Sequence, residues 1–305
     1  MARLNGGIHA GTIAASTIGD AAHAVLTTAE PRDKVRAARA AARAWRQGRL
    51  AHRFQAVMPA RPARPVRPEL LSAARMPKRG RGGSERGRIA MLHALAHIEF
   101  GAIDLAFDMI GRFGGYFPPA FVDEWVRVGA DEAMHFALLD RRLRALGSGY
   151  GALPAHDGLW EAAGQTAGDV LARLAVVPMV LEARGLDVTP ATAARFERAG
   201  DTRSASVLWR IYRDEIQHVG IGTRWFKIAA LERGFEPVSH WRRLIKNNFS
   251  GALKAPFNDS ARDEAGLSRD FYIGLAAQDD VQHPHAITSA GGQLPDAESG
   301  PQALV

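Results

Sequence analysis

Asp131-Glu132-Ala133-Met134-His135 and Asp214-Glu215-Ile216-Gln217-His218 are two copies of one phrase, Asp-Glu-x-x-His. Residues three apart on an α-helix share a face, about 300° around the axis, so each copy aims a carboxylate and an imidazole the same way. One Glu-x-x-His alone is a weak signal, because both residue types are common on helices. The spacing of two further acids strengthens it. Glu99 lies 33 residues before Glu132, and Glu182 lies 33 residues before Glu215. The two halves are offset by 83 residues, and His135 to His218 repeats that offset. This predicts two helical hairpins, each supplying a lone glutamate and a Glu-x-x-His. Four buried carboxylates without cations would be very costly, and two divalent ions would neutralise them. The six candidate metal ligands are therefore Glu99, Glu132, His135, Glu182, Glu215 and His218. Di-iron and di-manganese carboxylate bundles use this arrangement.

The flanking sequence supplies the helices. Four stretches, 88–113, 119–146, 158–184 and 202–233, carry these acids on their most apolar stripes. They define a four-helix bundle over 88–235. Gly114-Gly115 and the glycines at 147, 149 and 151 mark stops, and Gly185 reads as a C-terminal cap on the third helix. Pro178, four residues before Glu182, predicts a kink or a local loosening of the helix there. A basic helical segment, 1–57, is expected to pack on the bundle, with apolar helix over 9–29 and arginine-rich helix over 32–54. Prolines 59, 62, 65, 68 and 77 and glycines 80, 82, 83 and 87 make 58–87 a connector. A helical extension follows over 236–277, and 278–305 has the composition of a disordered tail. No β-alternation of consequence is present, so the expected fold class is all-α.

The 305 residues contain no cysteine, which excludes disulfides and thiolate metal sites and leaves His, Asp and Glu to bind iron, manganese or zinc. There is no run of about 18 uninterrupted apolar residues, so neither a membrane span nor membrane partners are expected, and the N-terminus lacks a secretory pattern. A cytoplasmic location is the expectation. The net charge of +7 is unevenly placed. Residues 1–88 hold 18 Lys+Arg against 5 Asp+Glu, whereas the remainder holds 21 against 27. The basic arm makes nucleic acid a candidate partner; an arginine-rich solvated extension is the plainer account.

Other residues near the motifs have two readings each. Asp131 and Asp214 sit about 100° from their glutamates, too far round to be direct ligands. Each is a candidate acceptor for the far N–H of a histidine ligand on the neighbouring helix, or a solvent-facing carboxylate. Tyr212, three residues before Glu215, is either a redox-active phenol or hydrogen-bond partner at the site, or core packing. His93 and His97 read as outer-face or structural histidines, since His97 and Glu99 are about 200° apart on the helix. Trp125, Met179 and Tyr116 belong to the bundle core or line access to the metals.

At His97-Ile98-Glu99, Asp131-Glu132-x-x-His135-Phe136, Glu182-Ala183-Arg184-Gly185-Leu186-Asp187-Val188-Thr189-Pro190 and Asp214-Glu215-Ile216-x-His218-Val219, the chain resembles the ferritin-like superfamily. It is most similar there to its domain of unknown function 455 branch. Pro256-Phe257-Asn258 and Ala261-Arg262 fit that branch as well. The resemblance runs from about residue 15 to 275. It implies a helical bundle with a dinuclear carboxylate site and leaves the activity open. The expected cofactor is two metal ions, iron foremost, with manganese or a mixed Mn/Fe pair as alternatives. The first functional expectation is an O2-dependent oxidase or hydroxylase, a di-iron oxidoreductase acting on a small organic molecule. The alternatives are a ferroxidase or peroxide-handling protein without organic substrate, and a metal-stabilised binding or structural bundle. A homodimer is compatible with each.

Overall fold

A computed structural model describes residues 15–77 and 84–281; the expected tail beyond, and the first 14 residues of the basic segment, lie outside that range. The described residues are all-helical, apart from two isolated parallel bridges, Thr17 with Ala51 and Leu70 with Ala155.

Four rods build the bundle. Helices α3 (Glu85–Phe113) and α4 (Pro119–Ala145) form the first hairpin. The second consists of a broken rod, α6 (Val170–Val176), a π-helical segment (Val177–Glu182) and α7 (Ala183–Arg198), which packs on α8 (Thr202–Glu232). Ser84 caps α3 through Gly87 N, and Pro119 starts α4 where a missing N–H costs nothing. Gly129 lets α3 and α4 approach closely, because a Cβ there would lie 2.6 Å from Phe107. Helix α3 has the length and composition of a membrane span, but 67% of its apolar window is buried inside the protein.

The third rod differs from the single helix expected over 158–184. Helix α5 (Gly158–Gln165) ends in a turn, and Asp169 restarts the chain by accepting hydrogen bonds from Leu171 N (2.8 Å) and Ala172 N (3.3 Å). Pro178 opens the π segment rather than producing a simple kink. Gly185 is no cap; it lies inside α7, which runs on through Pro190. A proline there leaves the carbonyl four residues back unpaired. That carbonyl, Leu186 O, is claimed by Asn258 Nδ2 at 3.1 Å.

The basic arm is partly internal. Helix α1 (Ile18–Thr27) packs on α3, and α2 (Pro31–Arg46) packs on α4. Helix α2 stops eight residues short of the expected end, where Gly48 adopts φ +65. Its arginines 32, 36, 39, 43 and 46 face outward. Lys34 instead turns inward, and its fully buried ammonium pairs with fully buried Asp104 of α3. Arg64 of the connector meets the same carboxylate and also Asp157 at 3.3 Å. A second buried set joins Arg173 of α6 to Asp108 of α3, with Arg112 at 2.7 Å from Asp108 and donating to Pro59 O at 2.6 Å. Residues 58–77 therefore form a strap bonded to the bundle. After α8, helices α9 (Pro237–Asn248), α10 (Asp259–Glu264) and α11 (Arg269–Val281) close the other flank.

Removing one partner of a buried ion pair strands a charge, so Asp104→Ala is expected to cost about 3–5 kcal/mol in urea unfolding. Asn258→Ala should cost about 1–3 kcal/mol in the same assay, because Leu186 O loses its donor.

Candidate metal centre

Glu99 comes from the middle of α3, Glu132 and His135 from α4, Glu182 from the end of the π segment, and Glu215 and His218 from α8. The interior brings them to one place. His135 Nδ1 lies 3.3 Å from Glu99 Oε2, 3.3 Å from Glu132 Oε2 and 3.9 Å from Glu215 Oε1. His218 Nδ1 lies 2.9 Å from Glu132 Oε1 and 3.5 Å from Glu215 Oε1. Glu132 and Glu215 thus stand between the two imidazoles, whose centroids are 5.7 Å apart. One ligand atom each from Glu99, Glu132, His135 and Glu215 fits within 4.8 Å. Glu182 stands beside this group, sharing a cavity wall with Glu99, Glu132 and Glu215.

The far side of each imidazole meets an aspartate from the opposite helix. His135 Nε2 donates to Asp214 Oδ2 at 3.0 Å, and His218 Nε2 faces Asp131 Oδ2 at 3.5 Å. A carboxylate can only accept, so Asp214 places a proton on His135 Nε2 and leaves Nδ1 turned toward the acids, at hydrogen-bond distance from Glu132 Oε2 (3.3 Å). Two arginines complete the pattern and were not singled out in the sequence. Arg210 Nε lies 2.7 Å from Asp214 Oδ2, and Arg127 Nε lies 3.9 Å from Asp131 Oδ2. They too are 83 residues apart, so the repeated phrase is Arg-x-x-x-Asp-Glu-x-x-His.

Without cations this cluster is electrostatically unhappy. Burial pushes Glu99 and Glu182 well above the ordinary carboxylate value, aided by Glu132 and Glu215 respectively. Burial also raises Glu215, with Glu132 adding to it. Burial opposes the charge on Glu132 too, yet His218 and His135 outweigh it and hold that carboxyl low. Burial likewise opposes charge on both histidines, and their acidic neighbours overcome it, raising each well above its usual value. Glu132 Oε1, Glu182 Oε2, Glu215 Oε2 and His218 Nδ1 are buried with no hydrogen-bond partner. The 2.9 Å approach of His218 Nδ1 to Glu132 Oε1 is therefore a close contact without hydrogen-bond geometry. Carboxylates and imidazoles facing one another with unfilled lone pairs are a donor set that fits hard or borderline divalent cations.

Local packing holds the site. Gly222, one turn beyond His218 on α8, gives room to the π segment: a Cβ there would come within 2.3 Å of the Pro178 ring. A cavity of about 90 Å³ opens on the acids, walled by Leu95, Ile98, Ala102, Leu208 and Ile211 among others.

Other candidates lie elsewhere. His93 and His97 are buried rather than outer-face residues. His93 Nε2 accepts from Gly151 N at 3.0 Å; His97 bonds Tyr150 Oη at 2.9 Å and His156 O at 3.1 Å. Burial lowers both to about 4, so they anchor the 147–157 link as neutral rings. The Tyr212 hydroxyl accepts from Asn258 Nδ2 at 3.0 Å, tying α8 to the C-terminal extension. Trp125 and Met179 are core, and Tyr116 is 74% exposed.

Residues 27–273 match a family described as "Protein of unknown function (DUF455)". A Haemophilus influenzae protein described as "Uncharacterized protein" is 40% identical over 206 residues, covering 66% of this chain and 71% of the relative. No solved structure matches the chain.

The raised groups set a pH dependence. Glu99, Glu182 and Glu215 keep their protons in the fold above the ordinary 4.5, and His135 and His218 above 6.5. Their contribution to stability is present below those values and is lost as pH rises through the folded ones. Glu132 works in the opposite sense, its contribution being lost as pH falls through its lowered value. A bound cation replaces the protons, so the rise in melting temperature on adding Mn(II) to metal-free protein should grow from about pH 5.5 to about pH 8. Melts at both pH values with and without chelator check this; a gain that does not grow contradicts it.

Proposed function

The chain belongs to the DUF455 family, and from that premise we propose that it is a ferritin-like dinuclear carboxylate protein that uses O2 to oxidise a small organic substrate. The observation that carries this reading is the apolar cavity that ends on Glu99, Glu132, Glu182 and Glu215. Its volume of about 90 Å³ has room for a short aliphatic group. A protein whose only substrate is a metal ion has no need of an apolar chamber against its acids. A polar, hydrated path would serve it better.

In this reading His135, Glu99, Glu132 and Glu215 hold one ion. His218 and Glu182 would hold the other, and both Glu132 and Glu215 stand between the two imidazoles. Two redox-active ions, iron foremost, would supply the electrons that reduce O2. The protein's own share is geometric. Asp214 orients the His135 imidazole through its hydrogen bond, and Asp131 faces that of His218 at 3.5 Å. Leu95, Ile98, Leu208 and Ile211 exclude water from the face where a substrate would lie. Glu132 and Glu215 each keep one oxygen free of hydrogen bonds that would be available to the ions.

Two measurements test the proposal. Wild-type protein should take up two equivalents of Fe(II) per chain anaerobically, and the pair Glu132→Ala with Glu215→Ala should abolish uptake. Unchanged uptake in that variant removes the metal assignment. Exposing the loaded protein to O2 without organic substrate should then give one round of O2 consumption that stops. Continued consumption with each addition of Fe(II) would instead mark a ferroxidase.

A further inference from the structure

The two halves of the site carry the same residues at the same spacing, yet they are not equally assembled. On the His135 side every link is closed. Arg210 Nε and His135 Nε2 both donate to one oxygen, Asp214 Oδ2, at 2.7 and 3.0 Å. His135 Nδ1 then stands 3.3 Å from both Glu99 and Glu132. On the His218 side Nδ1 also lies close to the acids, 2.9 Å from Glu132 and 3.5 Å from Glu215, but the outer links are open. Asp131 Oδ2 is 3.9 Å from Arg127 Nε and 3.5 Å from His218 Nε2, and that nitrogen is buried with no hydrogen bond. The fourfold group of ligand atoms within 4.8 Å contains His135 and omits His218 and Glu182. Glu182 is also the ligand candidate carried on the π segment, and its Oε2 has no partner.

We propose that the centre loads its ions in order, the first at His135, Glu99, Glu132 and Glu215 and the second at His218 and Glu182, and that Arg210 is the positioning residue that sets this order. The inference rests on the dinuclear reading above. Its physical basis is preorganisation. A site whose ligands are already held loses little on ordering them, whereas the cation must fix a His218 ring with no outer hydrogen bond and draw in Glu182. Arg210 acts through Asp214. Its Nε–H, bound to the same oxygen as His135, fixes that carboxylate and hence the plane and tautomer of the imidazole. Arg127 has the same place in the repeat but stands off, so its removal takes away little. Both arginines are about half or more exposed, at 48% and 64%, so substitution leaves the core intact.

The experiment is a titration of metal-free protein with Mn(II), the free ion being read by its electron paramagnetic resonance signal. Wild type should show two steps of one ion each, separated by about tenfold or more in affinity. Arg210→Gln should weaken the first step by about tenfold, at the lower end of what outer partners of metal ligands contribute, and bring the steps together. Arg210→Lys, which keeps a donor, should restore most of the separation. Arg127→Gln should leave the first step where it is, and His218→Ala should remove the second step alone. Chemical denaturation of each variant shows whether it is folded as the wild type is. Two steps of equal affinity, or equal effects of Arg210→Gln and Arg127→Gln, would overturn the order and leave the dinuclear reading standing. Wild type that binds no Mn(II), or one ion only, would overturn both.

Discussion

The fold is arranged around four carboxylates and two imidazoles held in an apolar interior. An isolated ionised carboxylate away from water is very unfavourable, so it shifts its pKa or acquires a partner. Here the partners inside the cluster are too few. Glu132 is stabilised by both histidines, while Glu99, Glu182 and Glu215 are left to hold protons. Several local irregularities become intelligible under that constraint. The π segment brings Glu182 to the cavity wall that Glu99 also lines, and Gly222 makes room for its proline against α8. Tail residue Asn258 then caps the carbonyl that Pro190 frees in the helix following Glu182. A strained third rod is tolerable because the surrounding segments bond to it.

The same physics governs the appendages. Lys34, Arg64 and Arg173 are the cations that Asp104 and Asp108 of α3 require once that helix is enclosed. Each comes from a different segment, so these pairs join the arm, the strap and the third rod to one central helix. Burial lowers the Lys34 pKa despite Asp104 beside it, and raises Asp104 despite its two cations. Such pairs specify where a segment docks more than they stabilise the fold.

The convergence of the acids and histidines was legible in the sequence because helical spacing and a repeated offset are geometric facts. Asp131 and Asp214 were legible for the same reason: one residue off the ligand face points a side chain toward the neighbouring helix. Arg127 and Arg210 carried the same 83-residue signal and were passed over, since an arginine four residues before an acid reads as a surface helix pair. Lys34 was hidden by its surroundings, because charge counting cannot tell an arginine at position 36 on the surface from a lysine at 34 in the core. The break in the third rod depended on how a proline is accommodated. Pro178 announces a disturbance, but whether it becomes a kink or a π segment is decided by Gly222 and Pro178 meeting across two helices. The roles of His93 and His97 depended on a loop, 147–157, whose path local periodicity does not describe.

A duplicated motif need not give a symmetric site. The repeat supplies each half with an arginine, an aspartate, a glutamate and a histidine on one straight helix. The lone glutamates are carried differently: Glu99 sits mid-helix on α3, and Glu182 sits at the end of a π segment opened by a proline. Glu99 therefore has its helix to hold it in place next to His135, whereas Glu182 sits on a segment held by its packing on α6, α7 and α8. This difference in backbone adds to the one in the outer contacts, where Asp214 is bonded to Arg210 and His135 while Asp131 stands off from Arg127 and His218. The better formed end lies beside the unbroken helix, and Val177, Leu181 and Glu182 of the π segment line the cavity on the other rod.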